Sequence, residues 1–405
     1  MPSRRALLAS VGVGTAAATA VGLTRSVDHR PVAPDALEST PYDWPVSRYD
    51  AAGTGYNPAA VGPKTKPTVA WEADLPDRRP MTPILLGETL FVTGHDSVVA
   101  FDARTGERRF ARGGSFRSSP ARAETDVYRT DTLAVANADG LSGLSTSGGF
   151  GTEDVSFGFE RWRALPSESD SLFDHGREAF DPVAVDDVVF VADATADRLV
   201  AVDANDGRVR WEYTSEDPFV SPAHRPVVRD GIVYLATSLR SVHAVDAASG
   251  ELLWEWEQAD PIWDLRPPTA TGSGVVVPAR GAVALVDEGE AIWTYEHGGN
   301  ATGGAAAVAD GTVVISDGDG HLLGLDLETG DSIWTTEYGP QVDPVVADDV
   351  VYVAYDWLPE VVAFDLETGE ERWTVETIYS PAQPIVGDDV LYVAGHETVI
   401  ALEER

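Results

Sequence analysis

At 405 residues the chain exceeds one ordinary hydrophobic core, so it forms either two domains or one large all-β or repeat domain. Its formal charge is −37, from 66 acidic and 29 basic residues, which excludes nucleic acid and anionic membranes as partners because each acidic patch adds to phosphate repulsion. The absence of cysteine excludes disulfides, thiolate catalysis, zinc–cysteine sites and cysteine-linked lipid anchors.

Acidic disorder is excluded as well, because the chain is 43% hydrophobic and carries 11 Trp. The only lysines are Lys64 and Lys66, and this near-absence beside abundant Asp and Glu resembles haloarchaeal proteins, in which strong salt screens the self-repulsion. The N-terminus, SRRALLASVGVGTAAATAVGL, sets the twin arginine Arg4-Arg5 before a mildly apolar run and resembles a Tat export signal. Residues 1–23 are read as that signal. Ala18-Thr19-Ala20 suits a cleavage site, and the alternative is an uncleaved anchor, since Ala6 to Leu23 is about long enough to span a bilayer. Residues 24–42 read as a polar linker.

From residue 43 onward the chain repeats. VAFDARTGERRF ends at Phe110, VAVDANDGRVRW at Trp211, HAVDAASGELLW at Trp254, LGLDLETGDSIW at Trp334 and VAFDLETGEERW at Trp373. Degraded copies end at Trp162 and Trp293. Ahead of each copy stand further short apolar runs separated by Asp-Asp or Asp-Gly turns, so one unit is three strands, an Asp-x-x-x-Gly turn and a closing aromatic strand. The period of about 40 residues, with four short strands, is that of a β-propeller blade. Continuously apolar runs fit sheets covered on both faces by neighbouring blades.

Seven units close on Phe110, Trp162, Trp211, Trp254, Trp293, Trp334 and Trp373, and the chain then ends after three further strands. The missing fourth strand is available around Trp71, ahead of the first full unit. The expected fold is therefore an all-β, eight-bladed propeller over 43–405, its ring closed by the Trp71 strand joining the last three. The alternative is a seven-bladed ring with Trp71 left outside.

Blades ending in Asp-x-x-Thr-Gly-x-x-x-Trp resemble the pyrroloquinoline-quinone (PQQ)-like β-propeller repeat, and DWPVSRYDAAGTGYNP, Asp43 to Pro58, resembles the leader ahead of such repeats. The resemblance implies one of two activities. One branch holds quinoprotein dehydrogenases that oxidise alcohols or sugars with PQQ and calcium. The other holds non-enzymatic scaffolds similar to outer-membrane assembly lipoproteins of the BamB type. The adjacent cysteine pair of many family dehydrogenases is missing here, and so is the lipobox cysteine of the lipoproteins. The expectation is an exported, non-catalytic scaffold without a cofactor, extracellular or at the cell surface, with a protein or surface partner. The alternatives are the quinoprotein, with PQQ and calcium, and a protein that binds a small anionic ligand.

The repeated Asp and Gly residues, among them Gly106, Gly207, Gly250, Gly330 and Gly369, read as turn structure: Asp bonds the following amides and Gly takes a positive φ. The closing Trp rings read as packing between sheets. Asp317 to Gly320, DGDG, reads as a hairpin turn because the Glu that ends a calcium loop is missing. Function is expected where the innermost strands begin, in segments 78–83, 115–120, 219–226, 261–268, 341–344 and 378–381, which do not repeat. There Arg78, Arg79, Arg117, Arg225 and Arg266 would steer an anion, with Trp263 and Tyr379 able to stack on a planar one. The competing reading pairs these arginines with nearby carboxylates. Asn300 and Asp343 lie where a channel mouth is expected. Insertions at 144–160 and 166–180, which include His175, are further places for partner contacts.

Overall fold

The structure, a computed structural model, describes residues 37–137, 140–151, 156–165, 181–193, 198–214, 225–237, 241–258, 265–299 and 304–404. Arg4, Arg5, Trp263, Asn300, His175 and the 166–180 insertion lie outside the described residues. Of the 144–160 insertion, a two-residue hairpin pairs Phe150–Gly151 with Ser156–Phe157.

Blade 6 shows how the repeat folds. Ala307–Ala309, Thr312–Ser316, His321–Asp326 and Ser332–Glu337 lie side by side, innermost to outermost, in chain order. The first turn is Asp310-Gly311, both at positive φ (47° and 80°), a mirror-type turn that matches the twist of the strands it joins. The second is DGDG, in which Asp317 Oδ1 accepts from the Asp319 and His321 amides. In the third, Asp326 Oδ1 accepts from the Glu328 and Thr329 amides, and Gly330 N–H returns to the Asp326 carbonyl at 2.8 Å.

Eight such four-stranded antiparallel sheets form the ring, as read from the sequence. Blades 1 to 7 begin at Ile84, Ala121, Val183, Val227, Thr269, Ala307 and Val345, and blade 8 at Ile385. In blade 8 the outermost strand is Thr68–Asp74, antiparallel to Thr398–Glu403, with Trp71 opposite Ala401. The first long strand thus completes the last sheet.

The three inner strands of each blade are buried, but the outermost alternates, with Ile292 and Ile333 about half exposed. Continuous burial was therefore right for three strands in four. The fourth has left the zone where neighbouring blades converge, so every second side chain meets solvent.

Five of the closing Trp residues act across the seam to the next blade. Trp71 Nε1 donates to Ala103 O (3.0 Å), Trp162 to Ala204 O (2.7 Å), Trp211 to Ala247 O (2.9 Å), Trp293 to Leu327 O (2.8 Å) and Trp334 to Leu366 O (2.8 Å). Each acceptor directly follows the Asp of the next blade's third turn. That turn's Gly is the seat for the ring: a Cβ at Gly330 would stand 2.6 Å from Trp293 Cδ2, and one at Gly369 2.5 Å from Trp334 Cε3. The repeat is thus a latch, in which Gly makes room and the carbonyl beside Asp takes the indole proton.

Three seams differ. Phe110 packs on Gly148 with no proton to give, and Trp373 donates instead to Pro63 O at 3.0 Å. Trp254 faces the shortened turn of blade 5 and makes no indole hydrogen bond among the described residues; a Cβ at Gly289 would meet Glu255 O at 3.1 Å and Trp254 Cβ at 3.9 Å but no atom of the ring, so this turn offers no seat.

Candidate functional site

The leader runs as a belt inside the ring, meeting the innermost strands in the order in which the blades occur. Trp44 exchanges two backbone hydrogen bonds with Leu85 of blade 1 (2.8 and 3.0 Å), and Pro45 O accepts from Arg122 N of blade 2. Val46 shares an apolar cluster with Val183 of blade 3. Ala51, Ala52, Thr54 and Gly55 then accept from Val228, Ala270, Val308 and Val346 of blades 4 to 7 at 2.7 to 2.9 Å. Tyr56–Asn57 finally adds a parallel strand to blade 7. Trp44 is fully buried, with Nε1 on Ser47 O, and fixes the start of the belt.

Over the belt, in the segments that precede the innermost strands, stands a buried set of charges. Arg48, 4% exposed, gives Nη1 to Gln383 Oε1 and Nη2 to Ala306 O, both at 2.9 Å, tying the belt to blades 8 and 6. Gln383 returns its Nε2 to Ser47 O. Arg225, 5% exposed, lies against Gly53. Burial pulls the Arg225 guanidinium down to about 10, with Arg48 adding repulsion, while Asp181, Asp50 and Asp343 act the other way. Asp50 accepts from the Thr54 amide and hydroxyl, Asp181 Oδ1 accepts from Ser119 N, and Asp343 Oδ1 accepts from Ala305 N. Burial pushes the Asp50 and Asp181 carboxyls up.

At the same end, a cavity of about 860 Å³ opens over blades 1, 7 and 8. Segments 78–83, 115–120, 341–344 and 378–381 all reach it, bringing Arg78, Arg79, Arg117, Asp343 and Tyr379 to one hollow. The hairpins between second and third strands add His95, Trp357 and His396. Trp357 is 69% and Tyr379 58% exposed, and Tyr379 meets the His396 ring edge-on at 6.5 Å.

The arginines expected at one rim divide into two groups. Arg78 pairs with Glu397 at 3.0 Å in the open, Arg79 is exposed, and Arg117 is half-buried at the cavity wall. Arg225 and Arg266 are buried, at 5% and 6% exposure, rather than at the mouth. They sit at the very start of the innermost strands, where the blades converge on the belt. Arg48, Gln383 and Trp357 were not singled out from sequence. For Arg48 the signal was there: a charged residue between Trp44 and the paired Gly53 and Gly55 of a leader otherwise read as a family mark.

Residues 154–287 and 279–405 match the family model described as outer membrane protein assembly factor BamB. The chain belongs to the PQQ-like β-propeller family. Two curated relatives of this propeller are outer membrane protein assembly factors BamB, from Moranella endobia (strain PCIT), 28% identical over 221 residues, and Yersinia pestis, 27% identical over 172. These alignments take in 49% and 38% of this chain and 55% and 43% of the relatives, so the match spans about half the length of the curated relatives. Among solved structures, BamB from Moraxella catarrhalis superposes with a TM-score of 0.64 at 16% identity, over 83% of this chain and 99% of that one. The quinohemoprotein alcohol dehydrogenase ADHIIG from Pseudomonas putida HK5 superposes at 0.67 and 15%, over 90% and 80%. At such identities these structures speak for the fold.

The PQQ-like fold raises the question of PQQ with calcium. Among the described residues no three His, Asp, Glu or Cys side chains stand close enough to hold a metal ion. Asp343 already receives the Ala305 amide, and Asp356, also on the cavity, is exposed.

Proposed function

We propose that this PQQ-like propeller is an exported, non-catalytic scaffold that presents the open end of its ring, around the cavity over blades 1, 7 and 8, to a protein partner at the cell surface. The observation that carries the reading is the exposed pair Trp357 and Tyr379, beside Leu358 at 40% exposure, set among charged side chains on non-repeating segments. Aromatic anchors within a polar rim are the composition of protein-docking surfaces. The family model and both curated relatives carry the description of an assembly factor, which supports a protein as partner. The twin-arginine N-terminus supports export, and the charge of −37 supports a strongly saline setting.

The test is site-specific photocrosslinking in the native cell. A crosslinker at position 357 or 379 is expected to trap one defined partner, whereas one at the equally exposed Ile292 or Ile333 on the blade edges is not. Equal trapping at all four positions sinks the reading. The catalytic alternative is tested by adding PQQ and calcium in high salt and following absorbance and dye reduction. We expect both to stay flat, and sustained dye reduction would overturn the non-catalytic role.

A second reading is supported by Arg79 and Arg117, which bring positive charge to the cavity beside Tyr379 and Trp357. That combination suits a planar anionic small molecule. A thermal-shift screen of aromatic carboxylates, repeated on Arg79→Glu, distinguishes it from the scaffold reading: a shift that survives the substitution removes the reading.

A further inference from the structure

Among the buried polar atoms of the belt and its charges that lack a hydrogen-bond partner are Ser47 Oγ, Arg48 Nε and both terminal nitrogens of Arg225. Arg225 is 5% exposed, and neither its Nη1 nor its Nη2 has a hydrogen-bond partner. Its neighbour Arg48 has both terminal nitrogens engaged, on Gln383 and the Ala306 carbonyl. The carboxylates nearest in charge are turned to other donors: Asp50 to Thr54, Asp181 to Ser119 N and Asp343 to Ala305 N. A guanidinium presents its donors as a planar fork, and a fork with both prongs empty in the interior is the geometry of a missing acceptor.

The leader is shaped to keep that fork in place. A Cβ at Gly53 or at Gly55 would come within 3.0 Å of Arg225 Nη2 and Arg48 Nη2 respectively, so the two glycines admit two guanidinia against one short stretch of backbone. The two cations repel each other, and Asp181, Asp50 and Asp343 offset that repulsion by their charge without filling the fork.

We infer that Arg225 seats a small monovalent anion of halide size inside the ring, bound in the fork of its terminal nitrogens, with Arg48 as the second positive charge. Neither Arg225 nor Arg48 lines the open cavity, although Gln383 and Asp343 border both, and the inference is independent of the scaffold reading. Its role is to hold the belt against blades 4 and 6, so the anion belongs to the folded ring and not to the unfolded chain.

Two measurements test it. Crystals of the full protein grown in sodium bromide should show an anomalous peak within hydrogen-bonding distance of the Arg225 terminal nitrogens. In solution, replacing gluconate by chloride at constant ionic strength should raise the unfolding temperature along a saturating curve. Arg225→Met should abolish that difference, and Arg79→Met, at the exposed cavity rim, should keep it. Bromide confined to surface cations, with water at Arg225, overturns the inference, as does a chloride effect undiminished in Arg225→Met. If Arg225→Met does not fold, the bromide peak in the unaltered protein decides alone.

Discussion

Trp334 of blade 6 donates its indole N–H to the carbonyl of Leu366 in blade 7 at 2.8 Å, and its ring lies on Gly369 of the same turn. A single residue pair therefore joins two sheets that share no backbone ladder. Trp334→Phe keeps the packing but leaves a buried carbonyl unmet, at a cost of about 1–3 kcal/mol. Trp254→Phe, at the seam without a latch, should cost under about 1.5 kcal/mol. Denaturant unfolding of the two variants checks the order, and equal losses would show that the hydrogen bond carries nothing.

Gly369→Ala attacks the same latch from the other side. The position has φ of 70°, and a Cβ would stand 2.5 Å from the Trp334 ring. Left-handed backbone and overpacking together should cost about 2–4 kcal/mol. Gly231, also at positive φ (79°) but with open space at its Cβ, should lose only the backbone part on the same substitution.

Arg48 makes a long-range claim, since its two terminal nitrogens bind blades 8 and 6 at once. Arg48→Ala should destabilise by about 1–3 kcal/mol for the buried Ala306 carbonyl it strands, and by less for the half-buried Gln383. Arg48→Lys should not restore the loss, since an ammonium has no planar fork to reach both acceptors. Full rescue by lysine would count against the belt being pinned there.

Acid sensitivity follows from blade 7. Arg372 bonds Asp349 and Asp365 at 2.6 Å each, and Lys64 adds a bond to Asp349 at 2.7 Å. The Arg372 hydrogen bond holds Asp349 well below the usual carboxylate range; for Asp365 burial opposes, yet the bonds from Arg372 and Thr368 still lower it. A depressed carboxyl contributes stability that is fully present above its unfolded value of about 3.9 and is lost as pH falls through the lower folded value. In Arg372→Met, neutral-pH stability should fall modestly, given the exposure of Asp349, and the acid limb of unfolding should move up toward the ordinary Asp range. An unmoved acid limb would remove these two carboxyls from the account.

Trp357→Ala and Tyr379→Ala should change stability by less than about 0.5 kcal/mol, since both side chains stand in solvent. Crosslinking from a neighbouring position should nevertheless weaken if they anchor the partner. A large drop in unfolding temperature would instead make them part of the ring.

The ring was legible in sequence because most blades repeat one mechanical need: Gly330 and its counterparts occupy five turns, each seating a Trp, and Trp71 stood out as a closing strand with no unit of its own. The site was only half legible. Arg78, Arg79, Arg117, Asp343 and Tyr379 meet at one cavity because non-repeating segments lie at one end of the blades. Arg225 and Arg266 stand two and three residues ahead of their innermost strands, against four to six for Arg117, Arg79 and Arg78, and the burial that separates the two groups comes from distant segments, as where Gly53 lies against Arg225, rather than from neighbours in the chain. Arg48 lay hidden for the same reason: its partners Gln383 and Ala306 are 335 and 258 residues away.

The belt also bears on how the protein is made. Residues 44 to 57 leave the ribosome before any blade exists, and they meet blades 1 to 7 in the order in which those blades are synthesised. Each new sheet therefore finds its place on the growing assembly already marked by the next leader residue. The Trp71 strand has the opposite experience: its partner, Thr398–Glu403, is translated after blades 1 to 7, so the ring stays open at one seam until all of those blades have been made.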